Sequence, residues 1–582
     1  MNQMHPVAIR PIRLLPSVAI TASLLFLAFR MTIGVGFSDE AYYAAFVDGW
    51  LKTGIGASQD LMAHQTAALW VYPVVLAYRA LSGGVDGLML VLRFVYLAAA
   101  AVASLCLFRA VLAYRGPVAA TVAAVFTLWF IPFGLPAPSY NTLGMWFVLA
   151  ALALFTMPFS HSRADLPTRL PNSLRLSAAC WVVAVVAYPP MAVSGIVLAL
   201  LAPCVLRQAA ERRLILRYAA LCAGLGVAAA VIVCAVLRPA HVLQMLSFTN
   251  SLNNVSGGME RKLHMASTLF TGNPRFAIAC VTAIVVAVVG LLARPATALR
   301  GAADAAIALL IIVVITAPAP TLFVYSHDLV ILLALAGSGA ALRSCVARDA
   351  DGASRVFGLV YAVALCAGAV TMTTAYNGLF NFPVGGFGAA CLAVALWMPR
   401  ASATPGGTRG RLAAAGGVAA ALTACAAMVW TAFASYYGEW NFSYAASVPM
   451  PRGVYAGLRS TDAKAEYAAQ MTRALTSLAA CGDTVAVLRG EAGNYLLAPM
   501  RPETVSTWGT VPGAGQLALD TISAHYRTHR PDIIIVDDRP EGWLPPLSDA
   551  AKALLANYVL ARQVVAGSYH SSIYRRPGCH AG

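Results

Sequence analysis

The chain has 582 residues, of which 59% are hydrophobic and 11% charged, with a formal net charge of +16 and a mean hydropathy of +0.71. Soluble domains carry about 25% charged residues, so an ordinary soluble enzyme or binding module is excluded. Nucleic acid is not the implied partner either, because the basic residues are spread over alternate loops and form no single patch. The apolar residues fall in blocks of about 15–25, the length a helix needs to cross a bilayer.

Arg10 and Arg13 precede the first block, Leu14 to Arg30. No small-residue cleavage site follows clearly and many more blocks come after, so an uncleaved first helix is expected. Just beyond it stands Gly36-Phe37-Ser38-Asp39-Glu40-Ala41-Tyr42-Tyr43. Two carboxylates at the edge of a bilayer are costly to place and point to chemistry; a solvated helix start is the plainer alternative. Thr66 to Leu81 is apolar enough to resemble a span, but it contains Pro73 and Arg79. Counting it would turn every later Arg-rich loop outward, so residues 37–82 are expected to form a first external loop with interfacial or re-entrant helices. Arg93 lies inside the next block, near Leu88. A charge there costs about 2.5–3.5 kcal/mol on insertion scales, and a carboxylate of the external loop is its expected partner.

Arg109/Arg115, Arg163/Arg169/Arg175, Arg207/Arg212/Arg213/Arg217, Arg294/Arg300, Arg343/Arg348/Arg355 and Arg400/Arg409/Arg411 mark the cytoplasmic turns. The opposite turns are poor in charge: Pro136 to Asn141, Tyr188-Pro189-Pro190, and Thr374 to Gly386. With a last span near Leu412 to Phe433, this alternation gives about 13 helices, the N-terminus inside and the C-terminus outside. A second long external loop, 238–275, holds Arg238, His241, Arg261, Lys262, His264 and Arg275. Such a basic set either anchors lipid headgroups or holds an anionic group such as a phosphate. Tyr140-Asn141 and His327-Asp328 fall at external helix ends, at the depth to line the same cavity or to cap their helices.

The transmembrane part is expected to occupy 1–438 and a soluble part 439–582. In the latter, Thr484 to Leu488 and Asp532 to Val536 read as strands, and Thr461 to Leu478 and Gly515 to Tyr526 as helices. That alternation predicts a small α/β domain. The twelve cysteines contain no CxxC pair and suggest no metal site. Cys481 and Cys579 are the two in the polar region, and export would let them form a disulfide. Asp537-Asp538 reads as a polar strand end. No P-loop, GxGxxG, HExxH or GxSxG motif occurs.

Asp39-Glu40 after the first helix, then Asp60-Leu61-Met62-Ala63-His64-Gln65, then Pro73 and Arg93, together resemble the GT-C superfamily of integral-membrane glycosyltransferases. The resemblance is to the aminoarabinose transferase and protein O-mannosyltransferase branch, and the 13-helix plan with an external C-terminal domain fits it. Asp60 and His64 match the Asp and His of the family's D-F-F-D-H-K-P-P stretch. Here Ala63 replaces its second acidic residue, Gln65 its lysine, and the prolines are missing, which leaves the donor class open. As motif the resemblance covers about residues 36–96; as architecture it covers nearly the whole chain.

The resemblance implies a multi-pass inner- or plasma-membrane enzyme. It would transfer a sugar, with inversion, from a polyprenyl-phosphate donor to an envelope acceptor at the outer face. Asp39 would be the general base, Asp60 a second carboxylate orienting acceptor or donor, and Glu40 a residue that orients the loop or binds the acceptor. His64, Arg238, Arg261 and Lys262 are candidates for the donor phosphate, and Tyr140 and Asn141 for substrate binding. No catalytic metal and no cofactor are implied. The acceptor is open among glycan, lipid and protein. A transporter or flippase of a lipid-linked glycan is the rival reading, although alternating access needs neither a large external domain nor a long acidic loop.

Overall fold

The computed structural model describes residues 10–55, 60–61, 63–159, 169–206, 208–255, 258–293, 297–316, 322–347, 352–375, 377–399, 407–434, 448–507, 515–538 and 546–578, without side-chain detail at 10–15, 63–64, 251–255, 322–325, 407, 434, 481 and 515–518. His64 as a ligand and the Cys481–Cys579 bond therefore lie outside the described residues.

Helix α1 (Arg10–Arg30) is followed by α2 (Asp39–Thr53) and α3 (Ala68–Ser82), both packed near the start of α4 (Leu88–Arg115). Gly116, at φ 94°, makes the sharp turn into α5 (Pro117–Trp129), whose first residue is a proline. Only glycine adopts that φ without strain, and proline suits a first helical position. α6 (Tyr140–Thr156) starts from a capping box: Ser139 Oγ accepts from Thr142 N at 3.2 Å and Thr142 Oγ1 accepts from Ser139 N at 2.8 Å. Then come α7 (Asn172–Ala187), α8 (Ala192–Val205) and α9 (Ala209–Leu237). The pair α10 (Pro239–Val255) and α11 (Gly258–Gly272) interrupts the bundle, which continues as α12 (Pro274–Leu292), α13 (Ala298–Thr316), α14 (Leu322–Val346), α15 (Gly352–Thr374), α16 (Phe382–Trp397) and α17 (Gly407–Ala434).

Among the described residues nine helices are long and apolar enough to cross a membrane: α4, α6, α9 and α12 to α17. Four shorter apolar helices, in α1, α5, α7 and α8, bring the apolar set to thirteen. The chain is an integral membrane protein. α3 is in neither group. Its Arg79 pairs with Asp48 of α2 at 3.2 Å, and Asp48 also holds Lys52 at 2.7 Å. The charges that argue against a span are used inside the loop.

α16 is the buried axis, packed by α15, α14, α6, α5 and α17. A Cβ at Gly385 would lie 2.0 Å from Ala367 O of α15. Small residues of this kind let helices approach closely in a medium that gives no hydrophobic drive between them.

A ribbon of β1 (Val448–Pro449) and β2 (Arg459–Ser460) opens the C-terminal part. It continues as α18 (Asp462–Leu478), β3 (Thr484–Arg489), α19 (Asn494–Leu497), β4 (Arg501–Pro502), α20 (Gly515–Thr528), β5 (Ile533–Asp537), α21 (Asp549–Leu555), β6 (Val559–Ala566) and β7 (Tyr569–Arg575). The sheet order is β4-β3-β5-β7-β6, with β3 parallel to β4 and β5, and β7 antiparallel to β5 and β6. Alternate strand residues face opposite ways. Val485, Val487, Ile533 and Ile535 pack with α18, whereas Ala486, Leu488, Ile534 and Val536 pack with α20 and α21.

This domain clamps the stretch after α1. Arg459 N donates to Thr32 O at 2.8 Å, Gly34 N to Arg459 O at 2.8 Å, and Gly493 N to Phe37 O at 2.6 Å. Lys464 Nζ donates to Val35 O at 2.6 Å. Leu61 N donates to Val505 O at 2.9 Å. One continuous core joins α2, α3, the start of α4 and the α18 face of the sheet.

Candidate functional site

The site is built outward from a buried ion pair. Arg93 and Glu40 are each 1% exposed. Arg93 Nε donates to Glu40 Oε1, and Nη2 donates to Glu40 Oε2 at 2.9 Å and to Gly34 O at 2.7 Å. Nη1 donates to Met31 O at 2.8 Å and Ile33 O at 2.9 Å. All five guanidinium donors are therefore used, and Glu40 Oε2 also accepts from Gly36 N at 2.9 Å. The pair fixes the path of 31–36 and with it the start of α2. Adjacent helical residues diverge by about 100°. So Glu40 turns into this lock while Asp39, one residue earlier, sits half-buried in the first turn with Ser38 Oγ 3.4 Å from its Oδ1.

Asp60 is buried, and its Oδ2 accepts from Thr507 N at 2.6 Å. Tyr43 links the two acidic positions. Burial pushes its hydroxyl well above the ordinary value of 10.0, and the neighbouring Tyr140, Asp39 and Asp60 push the same way. Burial does the same to Tyr42, with Asp60 next among the causes. Both hydroxyls stay protonated. Tyr140 N donates to Tyr43 OH at 3.3 Å, and the Tyr140 ring meets Tyr188 edge-on at 5.1 Å. Asn141 Oδ1 accepts from Asn381 Nδ2 at 3.5 Å. Asp39, Asp60, Tyr140 and Asn141 thus fall in one neighbourhood, with Tyr43 and Tyr188 as members that no sequence motif marks.

The basic residues divide. Lys262 is half-buried and donates to Thr373 O, next to the Tyr188–Thr374 hydroxyl contact of 2.8 Å. Burial lowers the pKa of Lys262 and of Arg261. This tie seats α11 against the end of α15. Arg238 is exposed at the α9–α10 joint, where its φ of 63° is a strained value for a non-glycine residue. His241, on α10, lies near the backbone of Asp60, and burial lowers its pKa. His327 accepts from Phe133 N at 3.0 Å through Nε2 and faces Phe380 O at 2.7 Å through Nδ1. With both ring nitrogens engaged, His327 ties the turn before α6 to the turn before α16. Asp328 is buried beyond it, on α14. No group of three or more His, Cys, Asp or Glu side chains gathers among the described residues.

A cavity of about 590 Å³ opens between α7, α8 and α9. Its walls are nearly all apolar, from Trp181, Val185, Ile196, Ala219, Ala223, Gly226 and Val233. Small residues on the α9 side make the room. At one end it is bounded by Thr66 and Val242, so it runs between these helices to the turn that follows Asp60.

No family model and no curated protein matches this chain. Solved structures do. The Archaeoglobus fulgidus oligosaccharyltransferase tethered with an acceptor peptide is 11% identical, with 96% of this chain and 74% of that one covered at a TM-score of 0.50. The same enzyme in complex with zinc and sulfate gives 11% identity, 95% and 72% coverage, and a TM-score of 0.51. At that identity the likeness is one of fold. The chain has the fold of that oligosaccharyltransferase, the GT-C fold.

Proposed function

We propose that the protein is an inverting glycosyltransferase that moves a sugar from a polyprenyl-phosphate donor to an envelope acceptor at the outer face of the membrane. The observation that carries this reading is the apolar groove, which ends beside Asp60 and its neighbours. A long isoprenoid tail needs an apolar channel within the bilayer, and its head must then lie next to the reacting groups.

In this reading Asp39 takes the proton of the acceptor hydroxyl as that oxygen attacks the anomeric carbon from the face opposite the phosphate. The carbon–oxygen bond to the phosphate breaks, and the lipid phosphate leaves with the electron pair. General-base assistance of this kind contributes about 10²–10⁴-fold. Asp60 orients acceptor or donor, and Tyr140 and Asn141 line the substrate site. Arg238, Arg261 and Lys262 supply positive charge near the leaving phosphate. Glu40 acts as a positioning residue, because both its oxygens are engaged by Arg93 and Gly36.

Deleting the gene and weighing the envelope glycans and glycolipids tests this directly. Loss of a mass equal to one sugar from a glycan, lipid or protein identifies the acceptor class. The same loss with lipid-linked sugar trapped on the cytoplasmic leaflet, and none on the outer one, would favour the flippase reading instead.

A further inference from the structure

Two polar atoms at the groove mouth are buried without a partner among the described residues. Gln65 is fully buried; its Nε2 donates to Asp60 O at 2.9 Å, and its Oε1 meets no donor. The reversed amide would set oxygen against oxygen, so this orientation follows from the hydrogen bonding. His241 approaches the same Asp60 backbone from α10, and its Nε2 is likewise without a partner.

Asp60 therefore organises the mouth with its backbone as well as its side chain. Its carbonyl holds Gln65 and His241 lies near its backbone, while its Oδ2 is held by Thr507 N. The chain neighbours of these two residues, Thr66 and Val242, line the end of the apolar groove. Buried polar groups in native proteins are normally satisfied. An apolar channel that ends in two unmet polar atoms matches an amphiphile whose head supplies the missing partners. His241 Nε2 is buried at the mouth itself, one residue from Val242 of the groove wall.

We propose that His241 is a further donor-binding residue: in the tautomer that carries its proton on Nε2, it donates from Nε2 to a phosphate oxygen of the lipid carrier seated in the groove. Gln65 Oε1 stands beside it as an acceptor, so the seat fits a head that carries a hydroxyl next to its phosphate. The assignment rests on the lipid-phosphate donor proposed above.

The test uses the full-length protein in nanodiscs with two probes, farnesyl monophosphate and farnesol, which share a tail and differ in the phosphate. A hydrogen bond to a charged group predicts that the wild type prefers the monophosphate by at least about tenfold. His241→Leu should bind farnesol as the wild type does, which reports an intact groove, and should lose most of that preference. His241→Gln keeps an N–H donor near the Nε2 position and should retain much of it. A leucine variant with the full wild-type preference overturns the role of His241. A wild type that binds both probes equally overturns the lipid-phosphate donor itself, whatever the variants do.

Discussion

Asp39 and Glu40 are neighbours in sequence with different work to do. Glu40 is held by Arg93 in a pair that excludes water, whereas Asp39 is half-buried beside the tyrosines of the site. Asp39→Asn keeps the shape and removes the proton acceptor. We expect turnover to fall by at least about 100-fold with little change in protein yield or in farnesyl monophosphate affinity. An asparagine variant that transfers sugar at the wild-type rate would move the assignment to Asp60. Glu40→Gln acts differently, because it strands a buried guanidinium. Breaking such a pair from one side costs about 3–5 kcal/mol, so the melting temperature in detergent should drop clearly. Turnover per folded molecule should stay closer to wild type than in Asp39→Asn, and the reverse order would make Glu40 the base. The acidic pair was legible in the sequence because carboxylates are rare at a bilayer edge. Which of the two faces the site was not, since that depends on Arg93, reached only through the fold. Gln65 and His241 carried even less local signal: their meaning comes from meeting at the backbone of Asp60 across a long stretch of chain.

At the scale of elements, the apolar helices were readable because each is a long apolar block flanked by arginine-bearing turns, and Pro73 and Arg79 set apart the stretch Thr66 to Leu81, which holds α3 and is not among the candidate spans. The groove was not. It arises where α9 carries Ala219, Ala223, Gly226 and Ala230 toward α7 and α8, and small residues in an apolar helix give no hint of whether they permit contact or leave space. The sheet shows the same boundary. β3 and β5 are buried on both faces and read as continuous apolar runs, whereas the edge strand β6 is largely exposed and offers no such run. The groove can be tested at Gly226, where an added Cβ would meet nothing within 4 Å. Gly226→Leu should fold normally and fill the channel, weakening binding of a polyprenyl phosphate by about tenfold. Val227→Leu, on a position 65% exposed on the outer wall, is the matched control. Equal effects from both substitutions would show that the tail does not lie in the groove.

For the whole molecule, we propose, on the alternation of Arg-rich turns, that the sheet domain lies on the outer side together with α2, α3, α10 and α11. A cytoplasm-only fluorescent reporter fused after Gly582 should be dark, and an exported phosphatase at the same point active. The opposite pattern would invert the bundle and put the site in the cytoplasm. Sidedness matters because the clamp of the C-terminal domain on 31–61 joins that loop and the sheet into one unit, which on the proposed function must share a compartment with the acceptor. The measurement that bears most directly on the proposed activity is release of polyprenyl phosphate from a polyprenyl-phosphate-linked sugar pool. It uses proteoliposomes holding the purified protein and an envelope extract as acceptor. Wild-type protein should release the lipid phosphate in step with sugar appearing in the extract, and Asp39→Asn should bind the donor but release at least about 100-fold more slowly. Sugar lipid that crosses the bilayer intact, or release that is equal in wild type and variant, would contradict catalysis by this site.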